Sequence, residues 1–151
     1  MKTGTIKKNQ LLLSLMVTML ILLFTYTAVS KLHDLADFER QLCNQVIPKW
    51  SVKPMLWLLP LVELVVVAML LSKPFRLTGL WVSCVLMFVF SIYMGLVVLN
   101  VFDRVPCNCG GVLNEMKFTT HFIFNLTFLF FSIASVRIQK SLNADSELEK
   151  I

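Results

Sequence analysis

At 151 residues the chain has the length of one domain, but its hydrophobic content of 57%, its mean hydropathy of +0.76 and its 15% of charged residues exclude an ordinary soluble domain. The formal net charge of +5 does not indicate a nucleic-acid-binding protein, because the basic residues are scattered in the gaps between apolar runs and form no continuous patch. In a membrane protein such gaps are loops and termini, so the composition indicates an integral membrane protein.

The first apolar run lies between residues 9 and 30 and carries no charged side chain. A bilayer core of about 30 Å is crossed by about 20 apolar residues of helix, which predicts a first span at about residues 10–30. A cleaved signal peptide is the alternative, because Ala28-Val29-Ser30 has the small-x-small pattern of a cleavage site. The apolar region of a signal peptide is usually about 7–15 residues long, so the longer run here favours a retained helix.

The segment between residues 31 and 53 is different because it mixes acidic and basic side chains. Leu32, Leu35, Phe38 and Leu42 recur at intervals of three and four, as on one face of a helix. The pattern predicts an amphipathic helix that lies on the membrane surface or caps the bundle and ends at Cys43.

Three more apolar runs predict spans at about residues 54–72, 78–101 and 118–136. Backbone groups in lipid must pair within each segment, which makes helices the expected solution. The predicted fold class is an all-α integral membrane protein, with four transmembrane helices in an up-down-up-down bundle and a surface amphipathic helix after the first span. Residues 1–137 form a single domain in this prediction, and residues 138–151 form a cytoplasmic polar tail.

The distribution of Lys and Arg predicts the orientation of the bundle in its membrane. The side with the termini holds eight basic residues and the other side six: Lys2, Lys7, Lys8, Lys73, Arg76, Arg137, Lys140 and Lys150 against Lys31, Arg40, Lys49, Lys53, Arg104 and Lys117. The positive-inside rule therefore places both termini in the cytoplasm. Three of the cysteines fall on the opposite, periplasmic side, where disulfides can form.

Cys107 and Cys109 lie in a short polar loop between the third and fourth spans. As a redox pair, they would gain thiolate character from the nearby Arg104 and Lys117, and a bridge across so small a ring would be strained and labile. As a structural bridge, the pair would pin the loop, but closing a tiny loop removes little entropy from the unfolded chain. A metal site would need further ligands, for which Cys43 and His121 are the nearby candidates. The redox interpretation is favoured.

Three other sulfur or imidazole groups have weaker interpretations. Cys43 is predicted to be an exchange partner of the pair, although an unreacted thiol is equally consistent with the sequence. His121 lies about one turn below the cysteine loop and could carry protons, or could be a hydrogen-bonded interfacial histidine. Cys84 lies on the order of 30 Å from Cys107 by helical rise, which excludes a disulfide and predicts a small buried residue.

Glu63 is expected about 14 Å inside the membrane, since it follows Pro54 by nine residues. Carboxyl groups at that depth are costly, usually face the bundle interior and often mark function. Tyr93 and Asn125 fall at similar predicted depth, and Asn125 shares a helix face with His121. These groups predict a proton path or a quinone site in the outer half of the bundle; a hydrogen-bonded structural role for Glu63 is the alternative.

Three motifs on these spans resemble one family of membrane proteins. Ser30-Lys31-Leu32 leaves the first span, Pro60-Leu61-Val62-Glu63 lies in the second, and Pro106-Cys107-Asn108-Cys109-Gly110 precedes the fourth. Together with the four spans, they resemble the MauE branch of the DoxX-like membrane proteins, over residues 11–137. The resemblance implies a role in methylamine dehydrogenase maturation or, more widely, in periplasmic thiol–disulfide chemistry beside a thioredoxin-like partner.

The sequence therefore predicts a membrane thiol–disulfide redox protein that exchanges electrons with a thioredoxin-like or substrate protein outside the cytoplasm. The main alternative is a non-enzymatic assembly factor in which the Cys-x-Cys bridge is structural. A third possibility is a small-solute transporter built around Glu63.

Overall fold

In the computed structural model, which describes residues 2–45, 47–99, 101 and 118–148, the chain is helical throughout its ordered elements. The helices are α1 Lys2–His33, α2 Leu35–Cys43, α3 Lys49–Leu71, α4 Arg76–Val98 and α5 Phe118–Leu148. Four of them, α1, α3, α4 and α5, are long and apolar enough to cross a membrane. The predicted all-α membrane class with four spans and a short helix after the first is confirmed.

The four long helices pack in a closed ring, in which α1 and α4 each contact both α3 and α5. Their directions follow from contacts near their ends. Gly79 at the start of α4 lies against Leu70 at the end of α3, and Lys140 of α5 lies 5.1 Å from the ring of Trp81 near the start of α4. Neighbouring helices are therefore antiparallel. We call the end where α1 begins and α5 ends the terminal end, and the opposite end, which carries α2, the loop end.

The core is a stripe of buried side chains on each long helix. On α1 these are Leu13, Val17, Leu20 and Phe24, at the alternating spacing of four and three that keeps them on one helix face. The cluster also contains Val66, Leu70, Leu80, Met87 and Val136. The outward faces are equally apolar, so in lipid the helices associate through close packing rather than through water exclusion.

Helix α2 closes the loop end of the bundle. Its first turn is capped by the carboxylate of Asp34, which accepts a hydrogen bond of 2.8 Å from the backbone N–H of Asp37. Its apolar face buries Phe38 and Leu42 against Val52 at the start of α3. The amphipathic helix predicted from the sequence therefore caps the bundle.

Two of the long helices extend further than the spans that hydropathy alone indicates. Helix α1 begins at Lys2, and α5 continues to Leu148, through most of the segment that was expected to be a polar tail. The extension of α5 is held by Ile138 and Leu142, which pack against the core cluster at a spacing of four residues. Two apolar anchors in a polar segment are enough to continue the helix, whereas a hydropathy average does not register them.

Gly79 of α4 lies directly against the end of α3, which gives a test of the packing. A Cβ atom there would lie 2.9 Å from Cβ of Met69 and 3.2 Å from the backbone N of Leu70, whereas one at Gly95 would meet the rotatable ring of Phe122 at 3.3 Å. Both Gly→Ala changes gain about 1 kcal/mol of helix propensity. We expect Gly79→Ala to be less stable than Gly95→Ala by about 1–3 kcal/mol, because only the first forces two backbones apart.

The comparison is made by reversible unfolding of both variants in mixed micelles, followed by far-ultraviolet circular dichroism. Equal stability of the two variants would show that α3 and α4 do not pack through Gly79.

Candidate functional site

The most deeply buried charged group among the described residues is Glu63, in the second half of α3, with 3% of its surface exposed. The ammonium group of Lys31 donates a hydrogen bond to its Oε1 atom and forms an ion pair with it. Lys31 belongs to the last turn of α1, and α1 is an antiparallel neighbour of α3. The lysine side chain therefore reaches along the bundle from the loop end to the carboxylate.

This pair joins three helices. The ammonium group of Lys31 lies 5.8 Å from the centre of the Phe38 ring on α2, within cation–π range. Thr27, one turn before Lys31, also faces the Glu63 carboxyl group, and its hydroxyl donates to the backbone carbonyl of Phe24 at 3.2 Å. Two opposite charges taken out of water together cost far less than either alone, which explains how Glu63 is tolerated in the membrane.

The second oxygen atom of the Glu63 carboxyl group takes no part in the ion pair with Lys31. Oε2 of Glu63 is buried and accepts no hydrogen bond from any described residue. A buried acceptor of this kind can take a hydrogen bond from a further donor. Pro60, which is buried one turn earlier in α3, lacks a backbone N–H and so cannot make the helical hydrogen bond to the carbonyl of Leu56.

Tyr93 lies in the last two turns of α4 and reaches the loop end. Its hydroxyl donates a hydrogen bond to Oε1 of Gln45, a buried side chain in the connection between α2 and α3. Gln41, one turn earlier, is also buried, and its amide donates to Oδ2 of Asp37 at 2.5 Å. The C-terminal end of α2 is therefore tied to α4, as its N-terminal end is tied to α1 and α3 by Lys31 and Phe38.

His121 and Asn125 share one face of α5, as their spacing predicts. Asn125 is buried and His121 is half-buried. Nδ1 of His121 is itself buried and has no hydrogen-bond partner among the described residues. Both side chains therefore present polar groups towards the bundle near its loop end, while their part in proton transfer stays a prediction.

Sequence reasoning found Glu63 but not its partner. Depth matching named Tyr93 and Asn125, whereas the ion pair is formed with Lys31, which was counted among the loop cations. The signal that could have identified it is its position directly after the first apolar run, since a lysine there is within side-chain reach of lipid. Gln45 was also missed, because a single glutamine in a loop belongs to no sequence pattern that predicts a contact.

The described thiols are Cys43 and Cys84, and both are free. Cys43 is exposed at the end of α2, on a concave surface that it shares with Ala36, Glu39, Arg40 and Asn44. Cys84 is half-buried within α4, not fully enclosed as expected. Across the described part of the chain, no cluster of three or more His, Cys, Asp or Glu side chains could hold a metal ion.

Cys107 and Cys109, with Arg104 and Lys117, lie outside the described residues. Their position in the chain is nevertheless informative. Helix α4 ends at Val98 and α5 begins at Phe118, and both of these helix termini lie at the loop end. Cys43, Tyr93 and His121 lie at the same end.

The chain was compared with protein families, curated proteins and solved structures. It matches the model of the family described as methylamine utilisation protein MauE over residues 9–137. No curated protein and no solved structure matches it. The matched range contains all of the candidate site, from Lys31 and Cys43 through Glu63 to the Cys-x-Cys loop and Asn125, and it covers most of the sequence. The chain therefore belongs to the MauE family of membrane proteins.

Proposed function

We propose that this MauE-family protein is a membrane thiol–disulfide redox protein, in which Cys107 and Cys109 exchange electrons with a thioredoxin-like or substrate protein on the periplasmic side of the bacterial inner membrane. The observation that carries the proposal is the Pro-Cys-x-Cys-Gly sequence between α4 and α5 in a chain of this family. Both termini lie in the cytoplasm in this proposal, which agrees with the excess of basic residues at the terminal end.

The bundle supports the proposal by presenting a firmly held surface at the loop end. Helix α2 is fastened at one end by Lys31 and at the other by Gln45, so the exposed Cys43 has a fixed position. In this proposal a partner that docks at this end meets the exposed Cys43 as well as the cysteine pair. Cys43 then serves as an exchange partner for that pair.

The exchange conserves atoms and electrons between two sulfur pairs. One thiolate of the dithiol attacks a disulfide of the partner protein and forms a mixed disulfide, releasing one partner thiolate. The second thiolate then attacks the mixed disulfide, which leaves Cys107 and Cys109 oxidised and the partner as a dithiol. Exchange in the opposite direction reverses both steps, and no metal is needed in either.

We further propose a quinone in the outer half of the bundle as the electron acceptor or donor. Oε2 of Glu63 on α3 and Nδ1 of His121 on α5 are buried polar atoms without a hydrogen-bond partner among the described residues, and each is of a type that would pair with an oxygen atom of a quinol or quinone. When bound, such a group would supply two-electron chemistry. Tyr93 and Asn125 would orient it, while Glu63 and His121 would hold its protons.

The exchange proposal is tested by trapping thiols in native membranes with a maleimide of known mass while the redox buffer is varied. We expect Cys107 and Cys109 to change together from two labels in reducing buffer to none in oxidising buffer. Cys84 is the internal control, since its label after denaturation should not depend on the buffer. A cysteine pair that never changes its oxidation state would exclude exchange.

A non-enzymatic assembly factor is the second candidate. It is favoured by the concave, exposed surface of α2, which includes Glu39 and Arg40 and could dock a partner without any electron transfer. In that case the bridge between Cys107 and Cys109 is fixed, and replacement of both cysteines leaves function intact as long as the bundle folds.

A further inference from the structure

The terminal end of the bundle carries a set of cations that the proposed redox chemistry does not use. Every segment at this end contributes to it: Lys7 and Lys8 on α1, Lys73 in the turn before α4, Arg76 at the start of α4, and Arg137 and Lys140 on α5. All six side chains are exposed or half-buried. We call this set the basic ring.

The basic ring lies at the level where the apolar surface ends. On α1 the first apolar stretch begins at Leu11, three residues after Lys8, and on α4 it begins directly after Arg76. On α5 the ammonium group of Lys140 lies 5.1 Å from the ring of Trp81, an exposed aromatic residue. Tryptophan at a helix end is typical of the headgroup region, so this contact places Lys140 at the depth of lipid phosphates.

The ring is not neutralised by the protein in the part of the chain that the structure describes. Neither ion pair between described residues involves any of its six members. Asp145 is the acidic side chain described at this end, and it lies five residues beyond Lys140, about 8 Å farther along α5 and away from the apolar surface.

The loop end is different because its charges are balanced. Lys31 is paired with Glu63, and Arg40 is paired with Asp37 at 2.9 Å. Asp34, which caps α2, and Glu39 on α2 equal in number the cations Lys49 and Lys53 at the start of α3. Among the described residues, the excess positive charge is therefore concentrated at the terminal end, at lipid-headgroup depth.

We propose that the basic ring binds the headgroups of anionic phospholipids and that the seam between α4 and α5, at Trp81 and Lys140, is its principal site. The phosphate of each lipid contacts the ammonium and guanidinium groups, while the acyl chains lie on the exposed apolar faces of the helices. Clusters of basic residues next to membrane spans bind anionic lipids in this way, and each cation contributes about 5-fold to the local affinity.

The test uses the full-length chain in vesicles of phosphatidylcholine and phosphatidylglycerol, with Trp81 as the reporter. In a protein with Trp50→Phe and Trp57→Phe, spin-labelled phosphatidylglycerol should quench Trp81 about 5-fold more effectively, at equal concentration, than spin-labelled phosphatidylcholine. Adding Lys140→Gln should reduce the ratio to about 1, as should high salt.

The loop end provides the matched controls. A protein that keeps only Trp57 should show a quenching ratio of about 1, and Lys49→Gln with Lys53→Gln should leave the Trp81 ratio unchanged. Each variant is first shown by gel filtration to be folded and monodisperse. A ratio of 1 at Trp81, equal ratios at the two ends, or full competition by millimolar inorganic phosphate would overturn the proposal.

Discussion

Replacing Lys31 by methionine is expected to destabilise the bundle by about 3 kcal/mol, the largest effect we expect from a single substitution outside the cysteines. The variant keeps the Glu63 carboxyl group in the membrane and removes the cation that neutralises it. Glu63 lies in the second half of α3 and exposes 3% of its surface, so it cannot reach water by changing its rotamer. The loss is measured as the difference in the free energy of unfolding between the variant and the wild type, by titration with sodium dodecyl sulfate.

Substitution of the other member of the ion pair, Glu63, is expected to cost less stability. In Glu63→Gln the remaining charge is on Lys31, two residues before the end of α1, with 15% of its side chain exposed. A long, flexible lysine so placed can turn towards the headgroup region and recover its hydration. We expect a loss of about 1 kcal/mol, and the double variant should lie closer to the wild type than Lys31→Met does.

The control for this pair of substitutions is Arg40→Met, which breaks the exposed ion pair with Asp37. Exposed pairs contribute about 0–1 kcal/mol, so its unfolding should be almost unchanged. If Lys31→Met were as mild as Arg40→Met, or if the two single losses at Lys31 and Glu63 simply added in the double variant, the pair would not be a buried, coupled unit.

Replacing Cys107 and Cys109 together by serine is expected to abolish maturation of the partner protein without unfolding the bundle. Closing so short a loop removes little entropy from the unfolded chain, so the stability of the double variant should stay within about 1 kcal/mol of the wild type. Each single replacement leaves one thiol that can attack but cannot resolve, and it should accumulate a mixed disulfide with the partner, visible as a band of higher mass on a non-reducing gel.

Cys84→Ser is the matched control, since it removes one thiol from the middle of the bundle and should leave both maturation and the pattern of mixed disulfides unchanged. Cys43→Ser separates the contribution of the exposed α2 thiol from that of the pair. Full maturation by the doubly substituted protein would favour the assembly-factor function and contradict exchange.

The architecture could be read from hydropathy because lipid imposes a simple rule on the backbone. Apolar runs of sufficient length, one of them interrupted by Glu63, predicted all four spans, and the three-and-four spacing around Phe38 predicted α2. The lengths of α1 and α5 could not be obtained in this way, since the helices continue into segments whose polar residues lower the average. For α5, the apolar contacts of Ile138 and Leu142 with the core hold the extension.

The site was predicted in part. The position of Glu63 in an apolar run was enough to mark it as unusual, and the spacing of His121 and Asn125 was enough to place them on one face. Pairing was harder, because it depends on the rotation of each helix about its axis and on the reach of side chains such as Lys31 and Tyr93. The cysteine pair lies outside the described residues, so its chemistry still rests on the motif and on the family.

The ion pair between Lys31 of α1 and Glu63 of α3 also affects how the chain enters the membrane. The ribosome delivers Lys31 well before Glu63, so the first helix must already be in place at the insertion machinery when the second span arrives with its carboxylate. We therefore expect the first helix to assist insertion of the second span, because the ammonium group of Lys31 donates a hydrogen bond to the Glu63 carboxylate and neutralises its charge as the two helices pair.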